Sequence, residues 1–433
     1  MLVSFRFKNF LSFKNEQYFS LEAKRADASL EGNLFSVEGN KSSLLHVSTV
    51  YGANASGKSN FINALTRMAS FVLESAKNSR GDEIDTIPFL LSPSCKTQPS
   101  EFEIVFFQNS VKYVYGFSLT RESVHDEWLY YYPNHKNRRV LFERILNEET
   151  KEKVVRFGPD LILNGEQDKQ FYNSIVARTN NEQLFLSKSA AQDNSIVLAP
   201  VYDWFKNTLI FGDEVSAEKT YQSIVEGRKE EILSFLRAAD LGIVDLDVQT
   251  KKFDKDSFLK QAADMPVEFQ NKILNDLSDK NFYKLTAIHL DSEGNSVGFP
   301  LRLESSGTQK MIEYASFILE ALSKGKVLIF DELHADLHPL LLEYLVGLFN
   351  NAYSTAQLIF TTHETNLLDP KKLRRDQIWF VDKNHLQESD LYSFSEFKAR
   401  TDDRQNWEKR YLKGFYGGIP YVKDFNLGIH NGQ

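Results

Sequence analysis

Cysteine is nearly absent. Among 433 residues only Cys95 carries a thiol, so no intrachain disulfide can form and a cysteine-based zinc cluster is excluded. That usage fits a reducing compartment. No apolar run approaches the ~18 residues that mark a membrane span. The N-terminus, Met1-Leu-Val-Ser-Phe-Arg6, lacks the apolar core of a signal peptide. The expectation is a cytoplasmic protein without a membrane partner. Basic charge is not in excess: 51 lysines and arginines face 59 acidic residues, a net charge of −8. Generic charge-driven binding of nucleic acid is therefore disfavoured, although a local basic patch stays open. Repeats, low-complexity tracts and long heptads are also missing. What is present is an ordinary globular composition, 42% hydrophobic and 25% charged, on a chain long enough for one large domain with an insertion or for several lobes.

Aromatic residues reach 13%, mostly phenylalanine, which favours strands and a core. Val3 to Phe10 alternates with period two and predicts a strand, with Tyr18 to Leu21 as its hairpin mate. A second strand is expected from Leu44 to Tyr51. Phe61, Leu65, Met68 and Val72 recur at helical spacing and predict a helix from Ser59. Antiparallel strands are expected at Phe102 to Phe107, Val111 to Leu119, Glu127 to Tyr132 and Val140 to Glu143. The stretch from Arg144 to Tyr283 is least legible, mixing short helices, such as Glu230 to Ala239, with loops. Beyond Leu303 the pattern is strand, helix, strand at Val327 to Phe330, Leu340 to Phe349 and Leu358 to Thr361, which argues for a parallel α/β sheet. The implied organisation is an N-terminal lobe at residues 1–85, an antiparallel β lobe at 86–143, a mixed insertion at 144–295 and a C-terminal lobe at 296–433.

Gly52-Ala53-Asn54-Ala55-Ser56-Gly57-Lys58-Ser59 fits G-x-x-x-x-G-K-[ST], directly after a strand and directly before a helix, the setting that confirms such a loop. Its backbone amides and the helix N-terminus suit a phosphate. Lys58 reaches the β- and γ-phosphates, and the Ser59 hydroxyl joins a Mg²⁺ shell. Val327-Leu-Ile-Phe-Asp331-Glu332 reads as a buried strand ending in two carboxylates: Asp331 for the metal, Glu332 to orient or deprotonate water. Glu304-Ser305-Ser306-Gly307-Thr308 leads into a helix bearing Met311, Ala315, Ile318 and Leu322. Ser305 or Ser306 caps it, and a capped N-terminus beside a glycine is a second anion site. His363 ends the Leu358 strand, where a neutral imidazole can contact the γ-phosphate. Lys371, Lys372, Arg374 and Arg375 form a basic cluster, read as a solvated face or as a contact for a partner or nucleic acid.

These motifs, in this order, resemble the ATP-binding-cassette class of ATPases, and within it the soluble RecF- and OLD-related branch. Asn9-Phe10-Leu-Ser-Phe13, Asp331-Glu-Leu-His-Ala-Asp-Leu-His-Pro339, Arg374-Arg-Asp-Gln-Ile-Trp-Phe380 and Tyr411-Leu-Lys-Gly-Phe-Tyr-Gly-Gly-Ile-Pro420 are similar to the RloA/AbiLi-type ATPases of phage defence. The resemblance implies an α/β P-loop NTPase fold of ABC-ATPase type, a mixed sheet with an antiparallel β lobe and a large mixed insertion. It implies ATP and Mg²⁺ as cofactors, with Asn9, Phe10 and residues 52–60, Asn60 included, at the nucleotide. It implies an ATPase that dimerises around ATP, or forms a higher homo-oligomer, with Ser305, Ser306 and Gly307 acting on the partner's nucleotide. Catalysis would rest on Lys58, Glu332 and His363. The implied role is sensor or scaffold in abortive-infection defence beside a separately encoded nuclease or toxin. The alternative is a RecF/SMC-like repair ATPase that binds DNA directly. The signature departs from Leu-Ser-Gly-Gly-Gln, and Gln98 is the nearest candidate for a Q-loop glutamine. No nuclease centre is visible: Asp245-Leu-Asp247 lacks a matching carboxylate, and the seventy residues after His363 are few for a Toprim domain.

Overall fold

A computed structural model describes residues 1–133, 136–147, 153–191, 197–252, 255, 258, 259, 262, 265–277, 281–351, 353–397 and 406–420. They form two compact units. The first draws on Met1–Phe211, Lys324–His334 and the chain from Leu345 onward; the second on Gly212–Ser323 and Ala335–Tyr344.

In chain order the elements are β1 (Leu2–Lys8), β2 (Gln17–Ser20), β3 (Leu34–Phe35), β4 (Leu44–Leu45), β5 (Val47–Tyr51), α1 (Lys58–Glu74), β6 (Ser100–Gln108), β7 (Val111–Leu119), β8 (Val124–Tyr132), β9 (Arg139–Leu146), β10 (Lys153–Phe157), α2 (Glu166–Ala177), α3 (Phe185–Ala190), α4 (Ala199–Asn207) and β11 (Leu209–Phe211). Next come α5 (Ala217–Ser223), α6 (Lys229–Ala238), β12 (Asp245–Lys252), α7 (Val267–Leu277), β13 (Asn281–Leu290), β14 (Ser296–Pro300) and α8 (Ser306–Lys324). The chain closes with β15 (Val327–Phe330), α9 (Pro339–Asn350), β16 (Gln357–Thr361), β17 (Ile378–Lys383), β18 (Ser389–Ser393) and α10 (Trp407–Leu412).

The first unit is built on two sheets. One has the order β11-β15-β16-β5-β17-β18 and is parallel except for the terminal pair β17–β18. Its central strands are buried at every position, which is why they read as short unbroken apolar runs. The other sheet, β10-β9-β8-β7-β6-β1-β2, is antiparallel. Its inner face is aromatic. Phe61 of α1 lies 6.3 Å from Phe7 and 5.0 Å from Phe19, and Phe19 lies 5.0 Å from Trp379 of β17. Helix α1 thereby joins both sheets to one core, each fully buried phenylalanine contributing roughly 1.5–3 kcal/mol.

Three local expectations are corrected. The stretch Leu44 to Tyr51 is two strands, because β4 pairs with β3 and β5 with β16; between them His46 turns its ring to the Ala356 carbonyl. The antiparallel sheet takes in β1 and β2 and runs on to Phe157, because Arg6 is flanked by Tyr18 on one side and Glu103 on the other. In the illegible stretch, α2, α3 and α4 complete the first unit's core and β11 adds an edge to the parallel sheet. β11 and α3 are too short to show a period, and α2 buries only Tyr172 and Ile175, too few to mark an apolar face.

The second unit pairs β12, β13 and β14 antiparallel beside α5, α6 and α8. The Thr220 hydroxyl lies 2.9 Å from Ser316 Oγ, and Lys219 pairs with Glu320 at 2.6 Å.

Candidate nucleotide site

Ligands in parallel sheets sit beyond the carboxyl ends of the strands. Here β5, β15 and β16 are neighbours and end together. Beyond β5 the chain forms the tight loop Gly52 to Gly57 and enters α1. Both glycines are demanded by space. A Cβ on Gly52 would stand 2.5 Å from Ser56 Oγ and from the Val381 carbonyl, and one on Gly57 would stand 2.6 Å from Ser389 Oγ. Gly57 also has φ 120° as it caps α1, a conformation open to glycine at no steric cost. Ala55 holds φ 61°. Lys58 is buried and bends back, donating to the carbonyls of Gly52 at 3.0 Å and Ala53 at 3.1 Å. Burial lowers its pKa, and the charges of Glu332 and Asp331 oppose that shift. Asn54, Ala55 and Ser59 are exposed, while Ser56 Oγ is buried and finds no hydrogen-bond partner.

Beyond β15 stands Asp331, and beyond β16 stand Thr362 and His363. The strand register sets Phe330 beside Phe360, so the next residues meet. The Thr361 hydroxyl donates to Asp331 Oδ1 at 2.5 Å and accepts the Glu332 amide at 2.7 Å. Glu332 sits at φ 50°, a left-handed turn that leaves its carboxylate exposed. Strain of this kind clusters at functional sites. His363 Nε2 lies 3.9 Å from Glu332 Oε1, and its ring is 5.7 Å from that of His334. Burial, Lys58 and His334 push the imidazole below its ordinary value, which keeps it neutral at pH 7. Lys58, Asp331, Glu332 and His363 are thus brought to one edge of one sheet.

The signature residues lie in the second unit. Ser305, not Ser306, caps α8: its hydroxyl accepts the Thr308 amide at 3.1 Å. Both serines are exposed. Gly307 abuts the next turn of that unit, where a Cβ would stand 2.9 Å from the Asp336 carbonyl. Just ahead, Glu304 Oε1 lies 2.8 Å from His289 Nε2 of β13.

Other expected residues have structural duties. Asn9 does not offer its side chain to the loop. Its amide donates to the carbonyls of Cys95 and Gln98, both at 2.9 Å, and accepts from Phe89. Phe10 is buried, edge-on to Phe102 at 5.3 Å. The residue of that segment that does reach the loop is Ser12, bonded to Asn60 at 2.8 Å and to Ser389 at 2.8 Å. Ser389, in turn, donates to the Ser56 carbonyl at 2.6 Å. Gln98 has an exposed side chain. The basic cluster dissolves. Arg374 is fully buried and clasps Asp376 with two hydrogen bonds, Arg375 lies over Phe394 and donates to Phe397 O, and Lys372 donates to Asn366 O. Asp245 pairs with Lys229 at 2.5 Å.

The residues fit a magnesium–triphosphate. The loop runs into the N-terminus of α1 with Lys58 beside it, and the buried Ser56 Oγ has no protein partner. Ser59 and Asp331 supply the hard oxygen ligands that Mg²⁺ prefers, too few for an all-protein cage, as expected where phosphates complete the shell. Among the described residues no group of three or more His, Cys, Asp or Glu can hold a metal ion by itself. Nor is any described helix long and apolar enough to cross a membrane.

The family profile described as "AAA domain, putative AbiEii toxin, Type IV TA system" matches residues 47–369, from β5 to just past His363. The chain belongs to this family. It is accordingly a P-loop ATPase of mixed α/β fold, as its own sheet order and loop require. The match leaves out β1 to β4 and everything from β17 onward, although Ser12 and Ser389 from those parts hold the loop. No curated protein matches the chain. Among solved structures it is similar to the "SMC head domain from Thermotoga maritima" (15% identity, TM-score 0.38, 90% of this chain and 98% of that one). It is also similar to an SMC head bound to the C-winged helix domain of ScpA (13% identity, TM-score 0.39, 90% and 97%).

Proposed function

We propose that this family member hydrolyses ATP with Mg²⁺, that two copies close head to tail around the nucleotides, and that the cycle serves anti-phage defence as sensor or scaffold for a separately encoded nuclease or toxin. The observation that carries the ATPase reading is the meeting of Lys58, Asp331, Glu332 and His363 at the carboxyl edge of β5, β15 and β16. The loop Gly52 to Ser59, with Asn60, binds the phosphates. Lys58, itself buried, neutralises them with its charge. Ser59 and Asp331 hold the metal, which supplies Lewis-acid polarisation of the phosphoryl group when bound. Glu332, exposed and forced outward by its backbone, orients water for in-line attack and takes its proton. His363, neutral, donates a hydrogen bond to the γ-phosphate.

Each chain has one phosphate loop and one Ser305-Ser306-Gly307 turn, whose exposed hydroxyls suit a phosphate on a second copy. The defence reading is supported by a family description that contains the AbiEii toxin and by the motif resemblance to RloA/AbiLi-type ATPases. A basic surface for direct DNA binding is weakened, because Lys372, Arg374 and Arg375 are engaged in the fold and Lys371 alone of the cluster is exposed.

Phosphate release by the wild type and by Glu332→Gln tests the reading. The expected result is Mg²⁺-dependent turnover for the wild type, and for the variant unchanged ATP affinity with turnover down by about 10²-fold or more. Equal turnover in both proteins removes Glu332 from the mechanism. Co-purification with the product of the neighbouring gene tests the effector.

A further inference from the structure

The segment Tyr411 to Pro420 stood out in the sequence, and the site described so far does not use it. It lies wholly in the first unit. Gly417 and Gly418 form a turn with φ 69° and 65°, and that turn rests on the mouth of the phosphate loop. A Cβ on Gly418 would stand 3.4 Å from Gly52 Cα and 3.5 Å from the Val381 carbonyl. The Val381 carbonyl is also what crowds Gly52 itself. Tyr411 of α10 fixes the turn, its hydroxyl donating to the Gly418 carbonyl at 2.9 Å. Its ring meets Tyr51, the residue before Gly52, at 5.8 Å and stacks on Phe380 at 5.5 Å. The Tyr392 hydroxyl holds the same turn through the Tyr416 carbonyl at 2.8 Å.

Just ahead of this segment, the first turn of α10 reaches the turn that follows His363. Thr365 donates its hydroxyl to the Glu408 carboxylate of α10. Tyr51 closes the circuit by donating to the Glu364 carbonyl at 3.0 Å. One short segment therefore touches the chain on both sides of the γ-phosphate position: the entry to the phosphate loop and the exit from β16.

We propose that Trp407–Pro420 is a brace built of positioning residues, in which Tyr411 and Gly418 fix the phosphate loop for nucleotide binding and Glu408 fixes the His363 turn for hydrolysis. The inference rests on the ATPase reading. A loop bedded on Gly418 presents its amides without first paying an ordering cost, which favours binding. A turn held through Thr365 keeps His363 within reach of the γ-phosphate, and misplacement of such a group acts on turnover.

Steady-state kinetics of the full-length chain separate the two arms. Tyr411→Phe keeps the ring and loses one hydrogen bond; the KM for ATP should rise about five-fold with kcat unchanged. Glu408→Gln keeps the shape and weakens the hold on Thr365; kcat should fall about five-fold with KM unchanged. Lys371→Ala, at an exposed residue outside the segment, should match the wild type. Melting temperatures check folding. Wild-type kinetics in both variants, or parallel loss of KM, kcat and melting temperature, overturn the brace while an active wild type keeps the ATPase reading. A wild type that neither binds nor hydrolyses ATP overturns both.

Discussion

Ser389 shows how a phosphate loop is held from outside its own motif. It is buried, and its hydroxyl donates to the Ser56 carbonyl while touching Ser12, which in turn receives Asn60. Ser389→Ala leaves that carbonyl without its partner, a loss of about 1 kcal/mol. Titration with a fluorescent ATP analogue should show affinity lowered roughly five-fold, and unchanged affinity would make Ser389 mere filler. The contrast with Lys58 explains what sequence alone could convey. Gly52 to Ser59 is contiguous, and its glycines, lysine and serine each answer a local demand. Ser389 meets the loop from the far end of the chain, and nothing in its neighbours announces that meeting. Asn9, placed at the nucleotide by the resemblance of its segment, is a related case: its amide bonds the turn carbonyls of Cys95 and Gln98, partners distant in the sequence.

At the scale of elements, apolar runs spoke clearly. Val327 to Phe330 and Leu358 to Thr361 are buried strands as expected, and the Phe61–Val72 stripe is α1. Charge spoke poorly, because its sign says nothing of burial. Arg374 was expected in solvent and is fully enclosed by Asp376 and by the carbonyls of Ser29 and Lys24. In the antiparallel sheet, Glu127 of β8 is fully buried, paired with Arg144 of β9 and accepting the amides of Phe185 and Leu186. Lys153 opens β10 nearby. Burial and Arg144 push its pKa down to about 7. Below that pH both folded and unfolded chains hold the proton and the folded state carries the whole penalty. Above it the folded state sheds its proton first, so stability rises until the ordinary lysine value is reached. Lys153→Met should therefore raise stability at pH 7 by ~1 kcal/mol, discounted because the amine reaches solvent, and should flatten the gain between pH 7 and 10. Thermal melts across that range would expose the opposite trend.

At the scale of the molecule, the single copy of each motif sets the test. Lys58→Ala and Gly307→Val should each abolish turnover, the second because a side chain there collides with the Asp336 carbonyl. If signature and loop act between copies, mixing the two inactive proteins restores one intact site per mixed pair, and phosphate release should return to a measurable fraction of the wild-type rate. A mixture as silent as its components would place both motifs on one chain. Sequence carried the ATPase half of this picture because its motifs are local. It could not show which residues of the second unit stand free, since that depends on how β13, β14 and α8 fold around them.

The central position of β5 has a consequence for synthesis. Its two sheet neighbours begin only at Gln357 and Ile378. A ribosome therefore delivers the phosphate loop early, on a strand whose hydrogen-bonding edges stay open until most of the message has been read. Such distant pairing slows folding and leaves sticky apolar edges on the nascent chain. Fragments halted before Ile378 would be expected to seek chaperones rather than nucleotide.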